Sequence, residues 1–291
     1  MIKIGTMGKL LAGLKDKIIL FLSLKDMNIL IVLPILGIER IKGDHIIYCD
    51  SSKLIRYLVR RVEREHGVLF SPKTRFIAVK ELYIDREYTK FREFIPSTKD
   101  TIVDVGAETG DYTILCSKFY NVSQVLSFEP NNASYEVLIQ NIELNKCHNV
   151  SAFMIGLSSV EAQQRAFFNG DSIIWTNNQD NYSLTVRKLD SFGLTSLSLL
   201  KIDVEGNEIE VIKGAIETIK KFRPRIIVET HSKVLKETVI DLLTGLDYSI
   251  SHAGRSFIND SNDEVVNIFF LNRSADAKIT TNIEYTKDSG K

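Results

Sequence analysis

Three ionisable side chains that could move a proton stand directly after apolar runs of the chain. Asp203 ends the strand predicted over Ser198–Asp203 and Glu205 follows it, while the strand predicted over Arg225–Glu229 closes on Thr230-His231. An imidazole has an ordinary pKa of about 6.5, so it can act as a general base near neutral pH. We therefore predict that His231, Asp203 and Glu205 are catalytic. His231 is the expected base, and Asp203 either orients it, serves as the base itself or binds a cationic group.

The same three side chains also resemble the ligand set of a divalent metal site. Sites of the 2-His-1-carboxylate kind hold their ion with two imidazoles and one carboxylate. The motifs of this chain offer only one histidine, His231. The prediction is therefore no metal, with a metal site as the alternative.

A second group of residues has the pattern of a nucleotide-binding crevice. The stretch Thr101–Asp111 reads as an apolar strand, a turn with Gly106 and Gly110, and the start of a helix. Glycine allows a tight turn and a close approach of ligand and backbone. Glu129 ends another apolar run about 20 residues later, where a carboxylate can accept hydrogen bonds from both hydroxyls of a ribose. An ordinary strand-to-helix turn and a solvated glutamate are the alternatives.

These residues need a sheet that brings the carboxyl ends of several strands together. From Thr101 onward, strand patterns and helix patterns alternate, which is typical of a largely parallel sheet. Tyr248–His252 and Val265–Leu271 have the pattern of a terminal antiparallel hairpin. Because parallel strands end at the same edge, Glu129, Asp203, Glu205 and His231 should converge on one crevice.

Four motifs in this order give the chain a family resemblance over about residues 83–272. They are Asp104-Val105-Gly106-Ala107 with Gly110, Phe128-Glu129-Pro130, Lys201-Ile202-Asp203-Val204-Glu205-Gly206, and Val228-Glu229-Thr230-His231. Together they resemble the FkbM family of S-adenosylmethionine-dependent methyltransferases. One residue departs from the family pattern, since Glu108 stands where the family usually carries Asn.

The resemblance implies a fold, a cofactor and a reaction. The fold is the Rossmann-like class I methyltransferase fold, a mostly parallel seven-stranded α/β sheet with a C-terminal antiparallel hairpin. The cofactor is S-adenosylmethionine, and the reaction is O-methylation of a hydroxyl on a small molecule, a sugar or a glycan. The predicted cofactor-binding residues are Asp104, Gly106, Ala107, Glu108, Gly110, Asp111, Thr113, Glu129, Pro130 and Asp203.

The remainder of the chain is divided around this core. Residues 1–95 are predicted to be a small α+β region that caps the site and recognises the acceptor, with strands expected over Val68–Ile84. Residues 96–275 form the methyltransferase domain, and residues 276–291 a disordered tail. The polar stretch 158–183, with Trp175 at its middle, is expected to be a long loop such as an active-site lid, with disorder as the alternative.

Composition limits the partners and the compartment. The 37 basic and 37 acidic residues balance, so no overall field favours nucleic acid. Residues 1–100 are more basic, with 19 Lys or Arg against 12 Asp or Glu. Three cysteines without metal-like spacing fit a reducing cytoplasm. Charged residues interrupt the apolar segment 18–38, which predicts no spanning helix and leaves interfacial membrane contact as the alternative.

Two other classes of function share part of this pattern. A nicotinamide-dependent oxidoreductase would also use a ribose-binding acid, but its G-x-G-x-x-G fingerprint is missing from the turn Gly106–Gly110. A non-catalytic binding protein on the same fold would keep the core without a cofactor. Binding of S-adenosylmethionine, of NAD or of neither separates the three.

Overall fold

The computed structural model describes residues 17–18, 40–42, 45–169, 172–175, 182–254, 257–258 and 264–273. Residues 19–38 of the apolar segment and the tail predicted over 276–291 lie outside these ranges. The chain divides into two compact units, Met1–Gly67 and Val68–Lys291. Within the described ranges, every helix is too short or too polar to cross a membrane.

The first unit contains a small antiparallel sheet and one helix. Its strands are β1 (Lys17–Ile18), β2 (Arg40–Lys42) and β3 (His45–Asp50), in the order β1-β3-β2. Helix α1 (Ser51–His66) follows β3 directly. Leu58 and Val62, four residues apart on one helical face, are both buried.

The second unit opens with helical turns where strands were predicted. Helix α2 (Phe76–Val79) continues as a π-helical turn over Lys80–Ile84, and a 3-10 turn follows at Arg92–Phe94. Val79, Leu82 and Tyr83 are buried together. Their spacing of three and four residues puts them on one face of a helix, whereas a strand would separate them. The prediction of strands over Val68–Ile84 is therefore wrong.

Strands and helices alternate through the rest of this unit, as the sequence predicted. In chain order they are β4 (Thr101–Val105), α3 (Asp111–Ile114, extended by a π-helical turn Leu115–Phe119), β5 (Gln124–Phe128), α4 (Asn132–Asn145), β6 (Val150–Phe153), β7 (Gly156–Leu157), β8 (Ala162–Asn169), β9 (Ser172–Trp175), β10 (Tyr182–Arg187), a 3-10 turn (Leu189–Phe192), β11 (Leu199–Ile202), α5 (Glu208–Lys213), α6 (Ile216–Phe222), β12 (Arg225–Thr230), α7 (Lys233–Thr244), β13 (Tyr248–Ala253), β14 (Phe257–Ile258) and β15 (Glu264–Asn272).

The main sheet has the strand order β13-β15-β12-β11-β4-β5-β6, and β14 pairs with β15. The adjacent strands β12, β11, β4, β5 and β6 all run parallel to one another. Strand β15 is antiparallel to both β12 and β13. The predicted Rossmann-like sheet and its C-terminal hairpin are thus confirmed. The chain order reverses between β4 and β11, and the crevice at such a switch point is where open α/β sheets bind ligands.

The loop predicted over 158–183 is wrong, because most of this stretch belongs to a second sheet. That sheet has the order β7-β10-β8-β9, with β10 and β8 antiparallel. Leu184 and Val186 are buried while Ser183 is exposed, so the side chains alternate in burial along β10. The many polar residues are the outward face of strands. The side chain of Trp175 lies outside the described residues.

Two buried asparagines of α4 hold the segment before α2. The amide of Asn141 accepts from the backbone N–H of Ser71 (2.7 Å) and donates to Thr74 Oγ1 (2.8 Å) and to the carbonyl of Thr109 (2.7 Å). The side chain of Asn145 accepts a hydrogen bond from the N–H of Leu69 (2.8 Å) and donates one to the carbonyl of Leu69 (2.7 Å). These side chains form hydrogen bonds with backbone groups that are not paired in a sheet.

This arrangement predicts a large effect for Asn141→Leu. The substitution keeps the side-chain size but leaves buried backbone groups without partners, so the free energy of unfolding should fall by about 2–4 kcal/mol. Asn132→Leu, at the exposed start of the same helix, should change it by less than about 0.5 kcal/mol. Chemical denaturation followed by circular dichroism measures both, and equal stabilities for the two variants would contradict the assignment.

Candidate active site at the switch point

The turn after β4 is glycine-rich because two backbones meet there. Gly106 has φ of +73°, and a Cβ at this position would lie 1.7 Å from the carbonyl oxygen of Asp203. Gly110 has φ of +86°, and a Cβ there would lie 2.4 Å from Cδ1 of Leu138. No other residue type fits either position without displacing its neighbour. The ends of β4 and β11 can therefore approach closely at the switch point.

The buried ammonium of Lys201 joins these two strand ends. Its Nζ donates to the carbonyl of Gly106 (2.7 Å) and lies 3.2 Å from Asp104 Oδ1 and 3.7 Å from Asp203 Oδ2. Burial disfavours the charged form, but the carboxylates, with Asp104 foremost, outweigh it and hold the pKa of Lys201 above its ordinary value. The lysine side chain therefore stays charged beneath the crevice.

Three predicted cofactor residues lie under the turn. Asp104 is fully buried and accepts from Thr113 Oγ1 (2.7 Å), whose hydroxyl also contacts Ser127 Oγ (2.7 Å). Asp111 is buried at the start of α3 and accepts from Thr109 Oγ1 (3.2 Å). Burial, and then the charge of Glu108, raises the pKa of Asp111 to about 7. Asp104 and Thr113 thus support the turn from below.

Other predicted cofactor residues line a crevice above the turn. They include Gly106, Glu108, Glu129, Pro130 and Asp203, and Glu205 lines it as well. The apolar part of the wall comes from Val105, Phe128, Ile155, Leu157 and Val204. The mixed polar and apolar lining is that of a small-molecule site.

Glu129 is held in place by two backbone N–H groups. Its Oε1 accepts from Asn131 (2.7 Å), and its Oε2 accepts from Glu108 (2.9 Å). Burial raises the pKa of Glu129 to about 7 despite these two donors. The carboxyl group is thus fixed in orientation and easily protonated just below neutral pH.

His231 lies at the centre of four carboxyl groups. Its Nδ1 is 3.1 Å from Oε1 of the fully buried Glu208. Its Nε2 is 3.5 Å from Glu205 Oε2, 3.6 Å from Glu229 Oε1 and 3.8 Å from Asp203 Oδ1. The structure therefore brings the three predicted catalytic residues together, and the hydrogen bond to Glu208 directs Nε2 towards the other acids.

These neighbours change the acid–base properties of the cluster. Burial lowers the pKa of His231, but the hydrogen bond to Glu208 and the charges of Asp203 and Glu205 raise it to about 9. Burial, followed by the charge of Asp203, raises the pKa of Glu229 to about 8. At neutral pH the imidazole is therefore mostly protonated and Glu229 mostly neutral, unlike the ordinary histidine assumed from the sequence.

The cluster also has the dimensions of a cation site. One ligand atom each from Asp203, Glu205 and His231 can be chosen so that all lie within 4.8 Å of one another. Glu208 would orient the imidazole, as carboxylates do for metal-bound histidines. The trio could thus accommodate a divalent ion such as Mg²⁺ or Mn²⁺.

Several side chains of the site were missed by sequence reasoning. The hydroxyl of Tyr88 lies 3.2 Å from both Asp203 Oδ2 and Glu229 Oε2, and Arg75 lines the crevice. Both residues precede the sheet, and no local pattern marks them. Glu208 could have been found, because it shares the strand-to-helix connection of Asp203 and Glu205.

Comparisons with known proteins give a family match and several related methyltransferases. A family model described as the methyltransferase FkbM domain matches residues 104–250. Methyltransferase 1 of Beauveria bassiana is 28% identical over 165 residues, which are 46% of this chain and 65% of that protein. Hexuronic acid methyltransferase AglP of Haloferax volcanii is 28% identical over 156 residues, 50% of this chain and 62% of that protein. The chain therefore spans slightly less than two thirds of either relative.

The chain is also similar to a solved structure. The methyltransferase FkbM from Methylobacillus flagellatus KT is 19% identical, with a TM-score of 0.45. The match covers 83% of this chain and 60% of that one.

The buried position of Lys201 predicts that Lys201→Met destabilises the protein. The variant leaves the fully buried Asp104 without its counter-charge, so the free energy of unfolding should fall by about 3–5 kcal/mol. Lys213→Met, which breaks an exposed ion pair with Glu210, should change it by less than about 1 kcal/mol. Urea denaturation distinguishes the two, and the double variant Lys201→Met/Asp104→Leu should regain part of the loss. A stable Lys201→Met protein would show that Asp104 needs no counter-charge.

Proposed function

The chain belongs to the FkbM methyltransferase family, and we propose that it transfers a methyl group from S-adenosylmethionine to a hydroxyl of a small molecule or sugar. The observation that carries this proposal is the shared crevice at the switch point. Glu129 lines one part of it, and Asp203 and Glu205, which contact His231, line another. A cofactor site and a proton acceptor are thus neighbours.

The crevice residues fit an adenosine-bearing cofactor. Glu129 is held so that its carboxylate can also accept hydrogen bonds from ribose hydroxyls. Phe128, Ile155 and Leu157 supply apolar surface for a planar base. When bound, S-adenosylmethionine supplies an activated methyl group on a sulfonium. We assign cofactor binding to Gly106, Ala107, Glu108, Gly110, Glu129, Pro130 and Asp203, and the support of the turn to Asp104, Asp111 and Thr113.

We assign removal of the hydroxyl proton to Nε2 of His231. Bound S-adenosylmethionine would supply the methyl group and leave as its thioether, while the imidazole takes the proton of the acceptor hydroxyl. Because Glu208 accepts the hydrogen bond of Nδ1–H, the neutral ring carries its lone pair on Nε2. Asp203 and Glu205 hold the imidazolium that results. With a pKa of about 9, only about 1% of the ring is neutral at pH 7.

The acceptor is proposed from chemistry and from one relative. The Haloferax volcanii relative is named for hexuronic acid methylation, which supports a sugar hydroxyl. The second sheet borders the crevice through Gly156 and Leu157, so it can contribute to the acceptor side. Residues 1–95, with their excess of basic side chains, are proposed to help recognise an anionic acceptor. A screen for transfer of a labelled methyl group to candidate acceptors tests this class.

Glu129→Gln tests the cofactor proposal. Ribose hydroxyls prefer the ionised carboxylate, so the affinity of the unaltered protein for S-adenosylmethionine should rise roughly tenfold from about pH 5.5 to 7.5, through the pKa of about 7. The glutamine variant should bind about 10- to 100-fold more weakly at pH 7.5 and lose this dependence.

Calorimetry measures the binding, with NAD as the competing ligand. Glu136→Gln, an exposed change on α4, should bind like the unaltered protein. Tight binding of NAD in place of S-adenosylmethionine would instead favour an oxidoreductase.

His231→Gln tests the proton acceptor. For the unaltered enzyme, kcat/KM should rise up to tenfold per pH unit from pH 6 to 8 and level off near 9, because only the neutral imidazole accepts a proton. The variant should lose about 10²–10⁴-fold in kcat and retain its cofactor affinity. A fully active variant would exclude His231 as the base. Loss of activity with EDTA and its recovery with Mg²⁺ would assign the cluster to a metal.

A further inference from the structure

One wall of the crevice carries an ion pair whose arginine has no role in the proposed function so far. Nη1 of Arg75 lies 3.0 Å from Oε1 of Glu108, and both residues line the crevice beside Gly106 and Glu129. Their side chains are 44% and 27% exposed, so a ligand can reach both charged groups. Exposed pairs of this kind contribute at most about 1 kcal/mol to stability, so stability alone is a weak reason for the pair.

Glu108 occupies an unfavourable backbone conformation. Its φ is +48°, in the left-handed region that Gly and Asn enter most readily. A residue with a longer side chain costs roughly 1–2 kcal/mol there. Its N–H is used by Glu129 Oε2, which fixes the conformation and directs the two glutamates to the same crevice. Strain of this kind, held by surrounding contacts, concentrates at ligand sites.

Arg75 is equally well placed by its neighbours. Its carbonyl accepts from the N–H of Val79 (3.3 Å), and the preceding Thr74 is bound to the buried amide of Asn141. The guanidinium therefore projects from a fastened backbone. Guanidinium groups bind carboxylates through two parallel hydrogen bonds, which a flexible ammonium cannot match.

We propose that Arg75 and Glu108 together bind the amino-acid end of the cofactor, an inference that rests on the proposed function. The guanidinium of Arg75 pairs with the α-carboxylate, and the carboxylate of Glu108 pairs with the α-ammonium. The protein pair and the ligand's zwitterion each carry no net charge, so binding exchanges one exposed ion pair for two and leaves the site's charge unchanged. The pair thus selects nucleosides that carry an amino acid.

Two ligands separate this role from a general effect on the crevice. S-Adenosylhomocysteine carries the amino-acid end, whereas 5′-methylthioadenosine has the same nucleoside and thioether without it. Calorimetry should show that Arg75→Gln and Glu108→Gln each bind S-adenosylhomocysteine about 10- to 100-fold more weakly, while the affinity for 5′-methylthioadenosine changes less than about twofold. Arg75→Lys, which keeps the charge but loses the planar fork, should show a smaller loss.

The control removes a guanidinium elsewhere. Arg187→Gln breaks a 4.0 Å contact with Glu161 on the second sheet and should leave both affinities unchanged. Unaltered binding of S-adenosylhomocysteine by either glutamine variant that folds would overturn the inference, and so would an equal loss for the two ligands. If the unaltered protein bound neither ligand, the proposed function would fail as well. Any one of the three variants that folds, as judged by its thermal unfolding, decides between these outcomes.

Discussion

The site depends on one buried charge, the ammonium of Lys201. It lies at the junction of β4 and β11 and contacts the Gly106 carbonyl and the carboxylates of Asp104 and Asp203. A buried lysine is tolerated only where partners replace its lost hydration. The close approach of Gly106 to the Asp203 carbonyl brings these partners within reach. Strand geometry, glycine content and the placement of Asp203 are thus parts of one constraint.

A second consequence follows for the acids beside it. Lys201 and Tyr88 hold Asp203 from one side, so its carboxylate has a fixed position from which to act on His231. Glu208 holds the opposite edge of the imidazole. The ring is therefore constrained from two directions, and its pKa is set by the acids that constrain it. The position of the imidazole and its pKa therefore cannot be varied independently in this cluster.

The sequence predicted the elements whose residue pattern is regular over a short stretch of the chain. Runs such as Ile102–Val105 and Leu199–Ile202 are buried throughout and, apart from Asp104 and Lys201, apolar, because both faces of a parallel strand are covered, and they identified the sheet and its strand ends. Because these strands end at the same edge of the sheet, the acids at their ends were predicted to lie at one crevice. The second sheet was missed because one of its faces is polar, which resembles a loop in composition. Arg75 and Tyr88 were missed because their partners lie more than 30 positions away, at Glu108 and Asp203, and the raised pKa of His231 depends on contacts between separate strand ends.

The two asparagines of α4 have a consequence for the motion of the protein. Residues 69–74 are fastened by side-chain amides, so releasing them requires no break in the ladder of the main sheet. Local opening of this segment therefore has its own free energy, smaller than that of global unfolding. Arg75 follows the segment directly, so such an opening would carry the guanidinium away from the crevice. The rate at which ligands enter and leave can thus be tuned through two asparagines that do not line the crevice themselves.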